Sequence, residues 1–189
     1  MMTAGMQRAD DVDAGVLDRA QRGDPTAFAT LVGRYDPRLR ALVWTLLADR
    51  QAMDDVLQEV YVKAFRGLPD FRGAARIGTW LHRIAYHACV DELRRRQHRP
   101  ALFDPLVDHD EPAARLPSHE ATVVQRLSVD DALAVLPPDQ AAAVVLVDGA
   151  GYDYDSCAEI LGVAPGTVAS RLSRARARLR SALANEEDR

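Results

Sequence analysis

The sequence predicts an all-α protein built from two small helical domains joined by a flexible linker. Its 189 residues leave room for one or two small domains, and its richness in alanine, leucine and arginine favours helix over strand. Apolar residues recur at helical spacing in both halves, without strand-like alternation. A proline-rich, acidic stretch that lacks this periodicity separates the halves. We therefore expect one domain over residues 11–99, a linker over 100–120 and a second domain over 121–184.

Charge is distributed unevenly along the chain. The formal net charge is -4, which argues mildly against indiscriminate binding to nucleic acids. Basic residues nevertheless gather at 94–99 and 171–180, whereas acidic residues gather at 104–111 and 186–188. This asymmetry is typical of a protein that uses separate surfaces for DNA and for a protein partner.

Several classes of protein are not indicated. No apolar run approaches the length that spans a bilayer, and the first residues contain no hydrophobic stretch typical of a secretory signal. We therefore expect a cytoplasmic protein that does not insert into membranes. Cys89 and Cys157 are far apart and each lies in a helical pattern, so neither a disulfide framework nor a cysteine-based zinc site is expected.

Local signals predict where helices begin. Asp24 followed by Pro25 predicts a helix N-cap and first helical position. Asp49 or a nearby residue is expected to cap the next long helix, and Thr79 to cap another. A loop over residues 69–78, interrupted by proline and glycine, precedes that last helix.

The stretch over residues 154–183 predicts a helix-turn-helix. Gly162 suits the C-terminus of the first helix and Pro165 the first turn of the second. Free backbone N–H groups near Thr167 form a natural phosphate-binding point. The second helix is amphipathic, with a basic stripe at helical spacing that contains Arg171, Arg174 and Arg178. The alternative interpretation is an ordinary terminal helix with a solvated arginine face.

A metal enzyme is one competing hypothesis. His82, His87 and Cys89 lie within one predicted helix, but two residues five positions apart point about 140° away from each other. No carboxylate occupies a recognisable third-ligand spacing. The sequence also contains no phosphate-binding glycine loop of the nucleotide-hydrolase kind and no defensible Ser-His-Asp arrangement. We expect neither catalytic activity nor a cofactor.

Four segments, taken in order, resemble the extracytoplasmic-function (ECF) class of bacterial sigma factors. They are AFATLVGRY, DDVLQEVYVKAF, FRGAARIGTWLHRIAYHACVDELRRR, and the stretch from LPPDQ to RARLR. The resemblance extends from about Leu17 to Leu183. It implies that the first domain is sigma domain 2 and the second is sigma domain 4, which contains the helix-turn-helix.

The second of these segments resembles the helix that docks on core RNA polymerase. The resemblance implies contact with the clamp helices of the β′ subunit, and the β subunit is a further expected partner. Val56, Val60 and Phe65 would anchor the helix beneath a polar face. The polymerase-binding residues implied are Asp54, Asp55, Gln58 and Glu59. A purely structural interpretation is that acids in a first helical turn suit the helix dipole.

The third segment resembles the region that binds the separated strand of the -10 promoter element. Single-strand binding needs a basic groove, stacking surfaces and a pocket for an unstacked base. The residues implied are Phe71, Arg72, Arg76, Thr79, Trp80, Arg83 and His87. For Trp80, core packing is slightly favoured over DNA contact. His87 stands where asparagine is frequent in the family, which leaves the identity of the captured base open.

The last segment resembles the reader of the -35 element. The residues implied are Tyr154, Asp155, Thr167, Ser170, Arg171, Ser173 and Arg174. Since arginine pairs bidentately with guanine in the major groove, we expect a guanine-containing element. Ala169 replaces the lysine or arginine that many members carry, so the element's sequence does not transfer from relatives.

The function implied is promoter-specific transcription initiation with core RNA polymerase on promoter DNA. The resemblance also implies an anti-sigma factor that holds the two domains and masks their polymerase surfaces. The alternative is a helix-turn-helix regulator without sigma activity. That alternative explains the second domain equally well, but it leaves the first-domain segments unexplained.

Overall fold

The first half of the chain is a bundle of helices. The computed structural model describes residues 14–73, 75–98 and 129–187, so the predicted linker lies outside the described residues. The elements of the first half are α1 (Ala14–Gln21), α2 (Pro25–Gly33), α3 (Asp36–Leu47), α4 (Arg50–Gly67), a short 3-10 turn (Leu68–Asp70) and α5 (Ile77–His98).

The second half is also helical. Its elements are α6 (Val129–Ala134), α7 (Pro138–Val144), a π-helical turn (Val145–Gly149), α8 (Tyr154–Leu161) and α9 (Pro165–Glu187). Across the described ranges the chain forms no strand, so the predicted all-α class is confirmed. None of the helices within these ranges combines the length and apolarity needed to cross a membrane.

The core of the first half forms where α3, α4 and α5 pack together. The fully buried side chains share helical spacing within each helix, as the apolar period predicts. They include Leu39, Leu42, Leu57, Val60 and Leu81. The 3-10 turn closes this bundle through Leu68, which is also fully buried.

Two predicted N-caps are confirmed. The carboxylate of Asp24 accepts hydrogen bonds from the backbone N–H groups of Thr26 at 2.9 Å and Ala27 at 3.1 Å. Asp49 accepts one from Ala52 at 3.1 Å. Each cap satisfies backbone donors that have no partner within the helix.

The expected cap at Thr79 is wrong. Helix α5 begins two residues earlier, at Ile77, and the backbone N–H of Trp80 donates to the carbonyl of Arg76 at 3.0 Å. Ile77 is only 7% exposed and Thr79 only 2%. The apolar side chain of Ile77 is buried by extending the helix, and this gain outweighs the local capping preference of threonine.

The helix-turn-helix forms as predicted. Asp153 caps α8 by accepting from the N–H of Ser156 at 2.7 Å. Gly162 ends α8 in the left-handed conformation with φ of 66°, and Pro165 opens α9. The inner face of α9 is buried at Val168, Leu172 and Ala175, each with 0% exposure.

The two halves pack directly against each other. Helix α8 lies on α5, and α7 lies on α3. At the centre of the first contact His82 is fully buried and its ring meets that of Tyr152 edge-on, with centroids 5.1 Å apart. One continuous hydrophobic core therefore runs through both halves.

The hydrogen bonds of His82 define its protonation state. Its Nδ1 lies 2.9 Å from the carbonyl oxygen of Gly78 and 2.9 Å from the hydroxyl of Tyr152. A carbonyl only accepts, so Nδ1 carries the proton and donates. Its Nε2 is buried and has no hydrogen-bond partner among the described residues. Burial lowers the pKa of His82 from 6.5 to about 4, so the ring is neutral in the folded protein.

Two helix ends offer substitutions of opposite sign. Ala48 ends α3 in the left-handed conformation with φ of 50°, where a Cβ is unfavourable. Gly162 ends α8 in the same conformation with φ of 66°, so an added Cβ would be strained there although it would meet no atom within 4 Å. We expect Ala48→Gly to raise the free energy of unfolding by about 0.5–1 kcal/mol, and Gly162→Ala to lower it by about 1 kcal/mol. Urea denaturation of both variants measures these changes. A change in the free energy of unfolding in the same direction for both variants would contradict this account of the two helix ends.

The stability of the protein should depend on pH through His82. Between pH 6.5 and about 4 the unfolded chain binds a proton at this residue that the folded chain does not. The free energy of unfolding should therefore fall by about 3 kcal/mol as pH decreases through this window. Urea denaturation across the window measures it. His82→Asn keeps a donor for Gly78 and cannot titrate, so it should show a shallower fall. Parallel curves for the two proteins would exclude His82 as the source.

Candidate functional site

Helix α9 presents a basic face to solvent. Ser173, Arg174 and Arg178 are exposed, as is Ala169 one turn earlier. The buried stripe on the opposite side fixes this face, because it attaches the helix to α7 and α8. Arginine and serine side chains in this position can reach base edges or phosphates.

Arg171 is placed differently from Arg174. Its side chain is only 19% exposed, and its Nε lies 3.1 Å from a carboxylate oxygen of Asp139 in α7. Its Nη1 is buried without a hydrogen-bond partner among the described residues. Of the two arginines predicted to read the -35 element, only Arg174 is exposed to solvent.

The remaining residues predicted for the -35 element lie near the helix ends. Tyr154 is 40% exposed and Asp155 is exposed in the first turn of α8. Thr167 and Ser170 are half-buried in the first turns of α9, where the hydroxyl of Ser170 donates to the carbonyl of Thr167 at 2.9 Å. These residues lie in the first turns of the two helices of the helix-turn-helix.

Arg176 belongs to the predicted basic surface but is used within the fold. Its guanidinium donates to both carboxylate oxygens of Asp148, at 2.7 and 3.2 Å. This bidentate pair attaches α9 to the π-helical turn. Sequence reasoning missed it because Asp148 is 28 residues away and follows no local spacing rule.

An aromatic pair lies at the start of α5. Phe71 and Trp80 are half-buried, with ring centroids 5.3 Å apart and planes inclined by 49°. Trp80 also packs on Gly67, where an added Cβ would come within 3.2 Å of the indole. Arg72 and Arg76 are exposed beside this pair. The loop therefore combines ring surface and positive charge.

Helix α1 fixes the loop before α5 through a hydrogen bond between residues far apart in the sequence. The side-chain amide of Gln21 donates to the carbonyl of Phe71 at 2.8 Å, across 50 residues of sequence. Sequence analysis did not single out Gln21, since a single polar residue at the end of a helix carries no recognisable signal. Its role is to fix the backbone beside the aromatic pair.

Along α5 the other residues of the -10 set differ in exposure. Thr79 is buried, whereas His87 is exposed and its Nδ1 donates to the carbonyl of Arg83 at 2.8 Å. The side chain of Arg83 is 43% exposed and lies 3.5 Å from a carboxylate oxygen of Glu159 in α8. The set therefore lies along the loop before α5 and the first three turns of that helix, and Thr79 is not accessible in this arrangement.

The polar face of α4 is exposed as predicted for Asp54, Asp55 and Gln58. Glu59 is half-buried and pairs with Lys63 at 2.6 Å and with Arg95 at 3.5 Å. The hydrogen bond from Lys63 lowers the pKa of the Glu59 carboxyl, so this group stays ionised.

An apolar groove lies beside this face. It has a volume of about 620 Å³, and its walls include Leu57, Tyr61 and the exposed side chains of Val62 and Phe65. Phe65 meets Phe28 edge-on, with centroids 5.0 Å apart. Its polar rim contains Arg40, Asp54, Gln58 and Arg66. Sequence reasoning assigned Phe65 to an anchor stripe and did not identify the groove.

Ion pairs hold the rim of the groove in place. Arg40 lies 2.9 Å from Asp36 and 3.4 Å from Asp54, and the hydroxyl of Tyr61 donates to Asp36. Burial raises the pKa of Tyr61, so the phenol keeps its proton and remains a donor. Asp54 thus forms part of a fixed charge network.

The cysteines and histidines do not assemble a metal centre in the part of the chain that the structure describes. No three histidine, cysteine or acidic side chains gather there. Cys89 and Cys157 are both fully buried, and burial raises the pKa of each thiol to about 12. Protonated, enclosed thiols of this kind behave as small apolar side chains.

Comparison with protein families divides the chain in the same way as the fold. Residues 31–99 match the model of Sigma-70 region 2, and residues 126–179 match the model of Sigma-70, region 4. The first match contains the groove and the aromatic pair. The second contains the helix-turn-helix.

The chain is similar to known sigma factors over nearly their whole length. The ECF RNA polymerase sigma factor SigM of Mycobacterium tuberculosis is 41% identical over 172 residues, which cover 91% of this chain and 85% of the relative. The RNA polymerase sigma-H factor of Pseudomonas aeruginosa is 32% identical, over 90% of this chain and 93% of the relative.

Solved structures share the fold. CnrH in complex with the cytosolic domain of CnrY has a TM-score of 0.64 at 23% identity and covers 90% of this chain and 96% of its own. The sigma factor RpoE in complex with the anti-sigma factor NepR, from Bartonella quintana, has a TM-score of 0.58 at 28% identity, over 77% and 89%. Together with the family matches, these similarities show that the chain belongs to the ECF class of sigma-70 family RNA polymerase sigma factors.

Proposed function

We propose that this protein is a bacterial alternative sigma factor that binds core RNA polymerase and directs initiation at specific promoters in the cytoplasm. It has no enzymatic activity of its own and needs no cofactor. The observation that carries the proposal is the combination of two surfaces on one chain. One is the rimmed apolar groove on α4, and the other is the exposed basic face of α9.

The groove on α4 is the docking surface for the polymerase. Val62 and Phe65 are 43% and 38% exposed, so a partner helix from the β′ subunit can bury them. Asp54, Asp55 and Gln58 border this apolar area. Charges at a rim set orientation and association rate more than affinity. The β subunit supplies the second polymerase contact.

The aromatic pair at the start of α5 handles the -10 element. Once the strands separate, a base can stack on the half-buried rings of Phe71 and Trp80, while Arg72 and Arg76 neutralise the backbone. His87 is exposed farther along the helix and takes part in reading the strand. Thr79, which is buried, supports the backbone beneath this surface.

The helix-turn-helix reads the -35 element. Arg174 and Ser173 face solvent and enter the major groove, where arginine recognises guanine. The hydroxyl of Thr167, at the N-terminal end of α9, binds phosphate, whereas the N–H groups of Thr167 and Val168 already donate to the carbonyl of Ala164. Tyr154 and Asp155 contact the DNA from the start of α8. Arg171 contributes once it leaves its ion pair with Asp139, and Ser170 contributes from the second turn of α9.

An anti-sigma factor is the expected regulatory partner. The solved relative RpoE is held in a complex with the anti-sigma factor NepR. Such a partner would cover the polymerase-binding surfaces of this chain. Copurification from the native host, followed by mass spectrometry, identifies it.

Run-off transcription tests the proposed function. Core RNA polymerase and this protein are incubated with genomic fragments, and the start sites of any transcripts are mapped. A sigma factor makes core polymerase initiate on its own. A helix-turn-helix regulator produces no transcript until another sigma factor is present, and that result would exclude the proposal.

Substitution of Arg174 should weaken promoter binding. Arg174→Ala removes one base-reading side chain, which should lower the affinity of the holoenzyme for the mapped promoter by about 10- to 100-fold. Arg180→Ala is the control, because Arg180 is exposed on the same helix about 9 Å farther on. A gel-shift titration measures both. Equal losses for the two variants would contradict base reading by Arg174.

Substitution in the groove should weaken polymerase binding. Val62→Asp places a charge in the apolar docking area and should lower the affinity for core polymerase by about tenfold or more. Val135→Asp is the matched control, since Val135 is 50% exposed in the other half of the chain. Fluorescence anisotropy of labelled sigma factor with core polymerase measures both. Unchanged binding by Val62→Asp would exclude the groove.

A further inference from the structure

Helix α1 carries none of the residues assigned above to polymerase or promoter DNA, yet its last residue contacts the loop of the -10 set. The helix ends at Gln21. It packs on α2 and on the 3-10 turn that opens the loop. Gln21 is therefore placed beside the backbone that leads into the aromatic pair.

The side-chain amide of Gln21 is directed at the backbone of this turn. Its Nε2 lies 2.8 Å from the carbonyl oxygen of Phe71 and 3.5 Å from that of Leu68. The backbone N–H of Phe71 also donates to the carbonyl of Leu68, at 3.1 Å. Both polar backbone groups of Phe71 are thus held, and the bond at its carbonyl comes from another helix.

The end of α1 that carries Gln21 is itself fixed. Ala20 is only 1% exposed. The chain then turns at Gly23, where φ is 87°, and the N–H of Asp24 donates to the carbonyl of Arg19 at 3.1 Å. The guanidinium of Arg19 donates to the Asp24 carboxylate, which also caps α2. Because the backbone on both sides of Gln21 is fixed, α1 can hold the loop rather than move with it.

The held carbonyl belongs to the residue whose ring meets Trp80. The centroids of the Phe71 and Trp80 rings are 5.3 Å apart, and the indole packs on Gly67. Two residues beyond Phe71 the chain turns again at Gly73, where φ is 71°. A shift of the Phe71 backbone would move its ring off the indole, and it would carry the exposed Arg72 with it.

We propose that Gln21 is a positioning residue for the -10 element, whose amide fixes Phe71 so that the aromatic pair is formed before an unstacked base arrives. This inference rests on the proposed sigma function and adds α1 to the elements that determine capture of the separated strand. A preformed stacking surface binds more tightly, because the loop need not be ordered when the base binds. Without the hydrogen bond the loop samples other conformations, and only a fraction of the molecules is competent to bind.

Two substitutions remove the donor in different ways. Gln21→Leu keeps most of the side-chain volume and cannot donate. Gln21→Glu keeps the shape, but an ionised carboxylate only accepts and therefore repels the carbonyl of Phe71.

Gln51 offers a matched control in the same half of the chain. It is an exposed glutamine in the first turn of α4, about 24 Å along that helix from Gly67. Gln51→Leu and Gln51→Glu therefore make the same chemical changes far from the loop.

Binding of a single strand measures the effect. Holoenzyme assembled with each full-length variant is titrated with a fluorescent oligonucleotide, the strand of the mapped -10 segment that the parent binds more tightly. Both Gln21 variants should bind it about 3- to 10-fold more weakly than the parent, the range expected for loss of one hydrogen bond. The Gln51 variants should bind it as the parent does. Affinities for core polymerase and for a -35 duplex should not change, whereas a general loss of stability would lower all three affinities together.

A double-mutant cycle tests whether Gln21 acts through the aromatic pair. Phe71→Ala keeps the backbone carbonyl but removes the ring that the hydrogen bond positions. When Gln21→Leu is added to Phe71→Ala, the affinity for the oligonucleotide should fall by less than about twofold further. Equal losses from Gln21→Leu in the parent and in Phe71→Ala would overturn the proposal.

Fluorescence of Trp80 reports the state of the loop directly. The chain has two tryptophans, so Trp44→Phe provides a background in which Trp80 is the single emitter. In this background Gln21→Leu should increase quenching of Trp80 by acrylamide, because Phe71 no longer covers the indole, while circular dichroism should show unchanged helix content.

Two failures are distinguishable. Unchanged oligonucleotide binding by either Gln21 variant that folds would overturn the role of Gln21, since the parent then captures the strand without this hydrogen bond. Absence of transcripts with the parent protein and core polymerase would refute the sigma function instead.

Discussion

The burial of helix α5 on two sides is the constraint on which the rest of the structure depends. One side completes the core with α3 and α4, and another receives α8 from the second half. His82 is the residue where these roles meet, because its Nδ1 is shared between Gly78 of its own helix and Tyr152. A neutral, fully buried histidine at this position links the protonation of one side chain to the packing of both halves.

Internal ion pairs divide the arginines of α9 into two groups. Arg171 and Arg176 are paired with Asp139 and Asp148, whereas no hydrogen bond or ion pair within the described chain involves Arg174. Two of the five positive charges on α9 are thus paired within the fold. This pairing lowers the net positive charge that the helix offers to DNA.

Local features were predictable from the sequence, and long-range partners were not. The caps at Asp24 and Asp49 and the left-handed end at Gly162 follow from rules that span a few residues, and the structure confirms them. The start of α5 was missed because burial of Ile77 overrides a local capping preference. The Tyr152–His82 contact spans 70 residues, and no periodicity or motif encodes such a partner. The apolar groove likewise depends on the meeting of α2 and α4.

Not every polar group buried between the packed helices finds a partner. Among the described residues, the buried polar side-chain atoms without a hydrogen-bond partner belong to His82, Gln140 and Arg171. His82 lies in α5 against Tyr152, and Gln140 lies in α7, which packs on α3. Arg171 lies in α9 beside Asp139. Each unsatisfied group costs about 1–3 kcal/mol relative to its hydrated form. The apolar burial of the continuous core offsets this cost, so the packing of the two halves depends on hydrophobic contacts.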